Sequence, residues 1–186
     1  MAELFPLPEG LPVPQDDGAC NHLPGMRMPE LLLPSTSGRG VPLRAASHHR
    51  AVFFFYPRSG RPGEAIHPDW DAIPGARGCT PHSCGYRDLH AEFAMRGASV
   101  FGVSCQDTEY QRELVERAHL PYEILSDAEF RLTEALRLPT FEYRGMRLIK
   151  RLALWTEAER IVKVFYPVFP PNRNAEEVIS WLRSRA

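Results

Sequence analysis

Two short apolar runs constrain the fold most, because each is too uniformly apolar to lie at a surface. AVFFFYP spans 51–57 and ends at a proline, and ASVFGVSC spans 98–105. Runs of this kind predict strands that are buried on both faces of a sheet. Apolar residues recur at helical spacing over 81–96, and TEYQRELVERAHL (108–120) has the pattern of an amphipathic helix. The first half of the chain therefore predicts alternating strands and helices.

The rest of the chain adds a second hairpin and two more helices. MRLIKRLALW (146–155) and RIVKVFYPV (160–168) are predicted strands joined by a turn at TEAE, and FRLTEALRL and AEEVISWLRSR are predicted helices. An earlier hairpin is predicted within MPELLLPSTSGRGVPLRA, with serine and glycine in its turn. This order predicts an α/β fold of thioredoxin-like type, with a central mixed β-sheet flanked by helices and an N-terminal β-hairpin extension.

Length and composition favour one domain without a charged partner. The chain has 186 residues, and 22 basic residues nearly balance 23 acidic ones. This balance argues against a nucleic-acid partner. No apolar run reaches the length of a membrane span, and the N-terminus lacks the pattern of a signal peptide, so we expect a cytoplasmic protein. We expect residues 1–22 to form an arm and residues 23–186 one domain, with a Gly/Pro-rich insertion at 58–78.

Four cysteines are too few for a disulfide scaffold, so their positions matter. Cys79 and Cys84 lie where a helical pattern begins. Thr80 and Pro81 suit an N-cap and a first helical residue, which would place Cys79 at the helix N-terminus. There the helix dipole and the nearby Arg77 would favour a thiolate, so we predict a reactive thiol. The alternative is that Cys79 is an ordinary small buried residue.

The spacing of the two cysteines predicts a conformational change if they bond. Residues five apart in an intact helix have Cα atoms roughly 8 to 9 Å apart, from the rise and turn per residue, whereas a disulfide tolerates at most about 7 Å. The start of the helix would have to unwind, which Pro81 and Gly85 would permit. Metal binding is a competing interpretation, but the spacing of the candidate ligands matches no standard zinc module: Cys79, His82, Cys84 and His90.

Several segments together resemble a known family. They are FFYP before the two cysteines, GCTPHSCGYRDLHAEF across them, VFGVSCQDTEYQRELVERAHLPYEILSD after them, and KRLALW followed by RIVKVFYPV. From about Leu23 to the C-terminus the chain resembles the peroxiredoxins, and most closely the Q-type or bacterioferritin-comigratory subgroup. The resemblance implies that Cys79 attacks a peroxide and becomes a sulfenic acid. Cys84 would then resolve it to an intramolecular disulfide, which thioredoxin or a similar dithiol would reduce, with no metal or organic cofactor.

The resemblance also implies a role for an arginine. Arg151 in KRLALW matches the family residue that stabilises the thiolate and the peroxide, although three basic residues lie nearby: Arg144, Arg147 and Lys150. The family's RD pair after the resolving cysteine is present as Arg87 and Asp88, which we interpret as scaffold support.

The chain departs from the family pattern upstream of the cysteines. The family has a hydroxyl residue three positions before the nucleophile, where this chain has Ala76, and the insertion separates the proline of FYP from Cys79. Thr80 is the nearest replacement hydroxyl. The insertion itself is interpreted either as a lid or partner patch, or as a surface loop with apolar anchors.

The remaining thiols and the histidine are expected to be less important. We expect Cys105 to be a buried or half-buried spare thiol and Cys20 to have a structural role on an arm that could be exposed. We expect His82 to be an exposed helix histidine, and the alternative is that it acts as a base or a hydrogen-bond partner. The predicted function is reduction of hydrogen peroxide or small organic hydroperoxides by a monomer or weak homodimer. The alternative is a thiol redox sensor or thioredoxin-like binding protein without efficient turnover.

Overall fold

A five-stranded mixed sheet forms the centre of the computed structural model, which describes residues 7–185. Its strand order is β5-β4-β3-β8-β9, with the first two pairings parallel and the last two antiparallel. Two-stranded hairpins, β1-β2 and β6-β7, lie beside it. The strands are β1 (Leu32–Pro34), β2 (Gly40–Pro42), β3 (Arg50–Phe55), β4 (Ala98–Ser104), β5 (Glu123–Ser126), β6 (Thr140–Tyr143), β7 (Met146–Ile149), β8 (Leu152–Glu157) and β9 (Arg160–Phe165).

Seven α-helices and one 3₁₀ turn are present in the described residues. They are α1 (Leu43–Ala46), α2 (Pro68–Asp71), α3 (Cys79–Asp88), α4 (His90–Met95), α5 (Thr108–Ala118), α6 (Arg131–Leu136), the 3₁₀ turn Pro171–Arg173 and α7 (Asn174–Arg183). None of them is long and apolar enough to cross a membrane.

Strand β3 explains why the molecule has a core on each side of the sheet. Successive side chains of a strand point to opposite faces. Val52 and Phe54 therefore pack in one core with α3, α4 and α7, while Phe53 and Phe55 pack in the other with the β1-β2 hairpin and α6. All four are completely buried. The predicted thioredoxin-like fold is confirmed, and so are the buried central strand and the N-terminal hairpin.

The predicted strand over 146–155 is wrong as a single element. It is divided into β7 and β8, with Lys150 and Arg151 between them. The two halves have different partners, because β7 pairs with β6 outside the central sheet whereas β8 pairs with β3 and β9 inside it. The chain therefore changes sheets at Arg151, and this break turns its side chain inward.

Three further features differ from the sequence expectations. Strands β5 and β6 were not predicted, since each has only four residues. The helical pattern over 81–96 forms two helices, α3 and α4, that meet at Leu89. Cys20, expected on an arm that could be exposed, is 5% exposed and packs in the core beneath the hairpin. The first six residues of the predicted arm lie outside the described part of the chain.

Candidate active site

Helix α3 begins at Cys79, and its cap is a glycine. Gly78 is the N-cap and has φ of 99°, a left-handed conformation that glycine adopts without strain. A Cβ at this position would also lie 2.6 Å from Pro171 Cγ, so a larger residue does not fit. The predicted cap at Thr80 is wrong, because Cys79 is already the first helical residue. The backbone N–H groups of Cys79 and Thr80 donate no hydrogen bond to the described residues.

Arg151 lies beside the sulfur of Cys79. Its Nη2 is 3.2 Å from Cys79 Sγ, and its side chain is buried. The same guanidinium donates to three consecutive backbone carbonyls at the end of the insertion, those of Gly75 (3.1 Å), Ala76 (3.1 Å) and Arg77 (3.2 Å). Within residues 7–185 no carboxylate contacts Arg151. A buried guanidinium normally requires a compensating charge, and the sulfur of Cys79 is the group in position to supply it.

The three competing basic residues do not reach the sulfur. Arg144 forms an ion pair with Asp69, Arg147 pairs with Glu134, and Lys150 pairs with Asp17. Arg77, which the sequence placed near Cys79, is itself paired with Asp71 at 3.0 Å. These ion pairs are at least partly exposed to solvent. Each of the four cations therefore binds a carboxylate and not the sulfur of Cys79.

His82 is completely buried, so the expectation of an exposed histidine is wrong. Its Nδ1 lies 2.9 Å from Arg151 Nη1, and its Nε2 lies 3.1 Å from Asn174 Oδ1. Phe54 packs against the ring at 4.8 Å between centroids. Burial, and secondarily the charge of Arg151, hold the pKa of His82 well below its usual value, so the ring is neutral.

Among residues 7–185 no cation donates a hydrogen bond to the sulfur of another cysteine. Burial raises the pKa of the Cys84 thiol and that of Cys105. Burial, reinforced by Asp17, raises the pKa of Cys20 to about 12. Cys105 is half-buried, and its sulfur lies near the carbonyl oxygens of Pro57 and Arg147. The geometry therefore separates Cys79 from the three other sulfurs.

Cys84 lies in the same intact helix as Cys79, and both thiols are free. Its side chain is 8% exposed. Gly85 next to it has a function that the sequence did not reveal, because a Cβ there would lie 2.9 Å from the backbone oxygen of Asn172. Glycine at this position permits close packing of α3 against the 3₁₀ turn. Arg87 donates to the carbonyl oxygen of Ala118 at 2.9 Å and so ties α3 to the end of α5.

A cleft of about 830 Å³ opens at Cys79. Its lining residues come from the insertion, from the turn between β6 and β7 and from the start of α3, which we call the floor of the cleft. Trp70 of the insertion is buried against Tyr143 and Leu148, while Ile66 is 53% exposed at the rim. The insertion thus has apolar anchors and also encloses the site. Five arginines are among the lining residues: Arg58, Arg61, Arg77, Arg117 and Arg144.

The position expected to carry a hydroxyl has none, since Ala76 is completely buried and offers only its carbonyl oxygen. Thr80, the residue after Cys79, is one of the hydroxyl residues that line the cleft. The metal-binding interpretation gains no support. His82 already has a partner on each ring nitrogen, and in the described residues no group of three or more histidine, cysteine or acidic side chains is arranged to hold a metal ion.

The central sheet is thioredoxin-like, and a cysteine at a helix N-terminus lies beside a buried arginine and below a cleft. This combination defines a thiol redox protein. The family model for redoxins matches residues 23–179, and the chain belongs to that family. The prediction of a peroxiredoxin-type enzyme is confirmed by its relatives.

Two relatives and one solved structure illustrate the similarity. The chain is 25% identical over 161 residues to the chloroplastic peroxiredoxin Q of Suaeda salsa, covering 86% of this chain and 67% of the relative. It is 24% identical over 161 residues to the peroxiredoxin Bcp of Escherichia coli K12, covering 85% and 94%. A structure of the bacterioferritin comigratory protein of Xanthomonas campestris, described for its alkyl peroxide reduction activity, superposes with a TM-score of 0.66 at 20% identity, covering 93% and 97%.

Proposed function

We propose that this protein reduces hydrogen peroxide or small organic hydroperoxides, with Cys79 as the peroxidatic and Cys84 as the resolving cysteine. One observation carries the proposal. Arg151 is buried without a carboxylate partner among the described residues and donates to Cys79 Sγ at 3.2 Å. A guanidinium in this position stabilises a thiolate, which is the nucleophilic form of cysteine.

The first chemical step is attack of the Cys79 thiolate on one peroxide oxygen. The O–O bond breaks, the sulfur takes that oxygen and becomes a sulfenic acid, and the other oxygen leaves and is protonated to water or an alcohol. Negative charge develops on the leaving oxygen. Arg151, and the N–H groups at the start of α3 that have no hydrogen-bond partner among residues 7–185, are the donors that we propose stabilise this charge. Thr80 is the proposed hydroxyl partner of the peroxide, in place of the side chain that Ala76 lacks.

The second step joins the two sulfurs. The Cys84 thiol attacks the sulfur of the sulfenic acid, water leaves, and a Cys79–Cys84 disulfide forms. Since both residues lie in one intact helix, α3 must unwind over its first turns before the sulfurs meet. Burial raises the pKa of the Cys84 thiol, and on this proposal unwinding exposes the thiol and removes that effect. Thioredoxin or a similar dithiol would then reduce the disulfide and restore both thiols.

The proposal includes the surroundings in which the enzyme acts. Four free thiols suit a reducing, cytoplasmic environment. Residues 23–186 would form the catalytic domain, residues 1–22 an arm, and the 58–78 insertion a wall of the substrate cleft. We propose a monomer or weak homodimer.

Peroxide consumption coupled to thioredoxin tests the proposal. The parent protein should turn over many equivalents of peroxide per chain, and Cys79→Ser should consume none. Cys105→Ser is the matched control, since it removes another thiol near the site and should leave turnover unchanged. Turnover by Cys79→Ser would contradict the assignment.

A thiol redox sensor is the second candidate, and Ala76 is the observation that favours it. Without a hydroxyl at this position the peroxide has one donor fewer, so turnover could be slow while oxidation of Cys79 still occurs. Under this alternative the parent protein would consume about one equivalent of peroxide and then stop, even with reductant present.

A further inference from the structure

Asn174 is a buried polar residue that the proposed mechanism does not use. It is 1% exposed and is the first residue of α7. Its Oδ1 lies 3.1 Å from His82 Nε2 and 2.6 Å from the hydroxyl of Tyr86, and its Nδ2 lies 3.2 Å from Glu177 Oε2. The amide therefore joins the exposed side of α7 to the floor of the cleft.

Only one arrangement of protons satisfies these contacts. Arg151 has only donors, so His82 Nδ1, at 2.9 Å from Arg151 Nη1, must accept and carries no proton. The ring proton is then on Nε2, which donates to Asn174 Oδ1. The carboxylate of Glu177 accepts from Asn174 Nδ2, and this contact fixes the orientation of the amide.

We propose that Asn174 is a positioning residue for Arg151, which acts by holding His82 in the neutral tautomer whose Nδ1 accepts from the guanidinium. Arg151 keeps its alignment on Cys79 Sγ because all its other acceptors within the described residues, three carbonyls and one neutral ring, bind it without cancelling its charge. For its kinetic readout this inference rests on the proposed peroxidase function.

The neutrality of the amide is essential. A carboxylate at 174 would still accept from His82 Nε2, but it would also favour a second proton on the ring. An imidazolium has no acceptor, so it would repel the guanidinium and displace it from the sulfur. The charged and titratable groups that face His82 are Arg151 from the β7-β8 junction, Cys79 and Tyr86 from its own helix, and Glu177 through Asn174.

Selective ¹⁵N labelling of histidine tests the tautomer directly and needs no turnover. The signals of His82 are assigned by their loss in His82→Gln. We expect the Nε2–H tautomer in the reduced protein at neutral pH, whereas an Nδ1–H tautomer or an imidazolium would overturn the proposal.

The kinetic test uses Asn174→Asp, which has nearly the same size. The new carboxylate should raise the pKa of His82 from its depressed value toward the ordinary range of histidine. Alkylation of Cys79 and peroxide reduction should therefore both fall by about 10-fold or more as the pH is lowered from about 8 to about 6, relative to the parent protein. Glutamine can accept and donate as the ring does but cannot gain a proton. In the double variant His82→Gln/Asn174→Asp the extra loss at low pH should therefore disappear.

Tyr86→Phe is the control, because it removes the other hydrogen bond to Asn174 Oδ1 while the ring that packs beside His82 and the His82–Asn174 hydrogen bond both remain. Its pH profile should follow that of the parent protein. An Asn174→Asp profile identical to the parent profile would overturn the proposal, and so would a loss that persists unchanged in the double variant. If alkylation follows the prediction while no variant turns over peroxide, the positioning role stands and the peroxidase function fails.

Discussion

Replacing Arg151 by glutamine should reduce the reactivity of Cys79 severely. With 3.2 Å between Nη2 and Sγ, Coulomb's law at an effective dielectric constant of 20 gives about 5 kcal/mol between a guanidinium and a thiolate. The observable loss is smaller, because the sulfur of the variant can protonate and water can enter. We expect a decrease of about 10²- to 10³-fold in the rate with peroxide, the range found when one donor to a developing charge is removed.

Stopped-flow measurement of Cys79 oxidation under excess peroxide gives this rate. Alkylation by iodoacetamide at one fixed pH should be slower in Arg151→Gln than in the parent protein, because the guanidinium no longer lies 3.2 Å from the sulfur. Circular dichroism must accompany both assays, since Arg151 also holds the carbonyl groups of residues 75–77 and its loss should loosen the insertion.

Two variants separate charge from geometry. Arg151→Lys keeps a positive charge but loses the planar fork that reaches three carbonyls, so its rate should lie between those of the parent protein and Arg151→Gln. Arg147→Gln removes an exposed arginine that pairs with Glu134, and it should have no effect. A folded Arg151→Gln protein with the oxidation and alkylation rates of the parent would refute the role of Arg151.

Three further predictions concern the opening of α3. Amide hydrogen exchange should show protection over residues 79–85 in the reduced protein and its loss in the disulfide form; equal protection in both forms would mean that no unwinding occurs. Cys84→Ser should accumulate sulfenic and then sulfinic acid on Cys79, as measured by mass spectrometry, whereas Cys105→Ser should form the disulfide normally. His82 is neutral when buried and regains an ordinary pKa near 6.5 when α3 unwinds, so the unwound state binds more protons. The free energy of this opening should therefore fall by up to about 1.4 kcal/mol per pH unit below about pH 6.5. His82→Gln should flatten that dependence, and an unflattened profile would assign it to another group.

The sequence predicted the sheet better than the site, for a physical reason. The run AVFFFYP is apolar at every position, so it has no alternative to burial on both faces, and β3 is the central strand. The run 146–155 is also strand-like throughout, but the pattern does not show where the chain leaves one sheet for another. The position at which the chain changes sheets depends on which strands are available as partners. The break at Arg151 results from this pairing.

The polar floor of the cleft could not be predicted from pattern alone. His82 and Ser83 are polar residues in a helix, which usually indicates an exposed face, yet both are completely buried. The reason is that α3 is covered on one side by the sheet and on the other by the 3₁₀ turn and α7. Gly85 permits the close contact of α3 with the 3₁₀ turn, and Asn174 supplies a hydrogen-bond partner that stabilises buried His82.

Ala76 has no hydroxyl, but it belongs to the backbone segment at the end of the insertion that binds Arg151. Residues 75–77 present three carbonyl oxygens to Arg151, so the backbone at the end of the insertion holds the guanidinium. Carbonyl dipoles bind the cation and leave its net charge in place, whereas a carboxylate would neutralise that charge. On the proposed mechanism the full charge of Arg151 then remains for the sulfur of Cys79 and for the leaving oxygen of the peroxide, and the insertion contributes to catalysis by placing that charge.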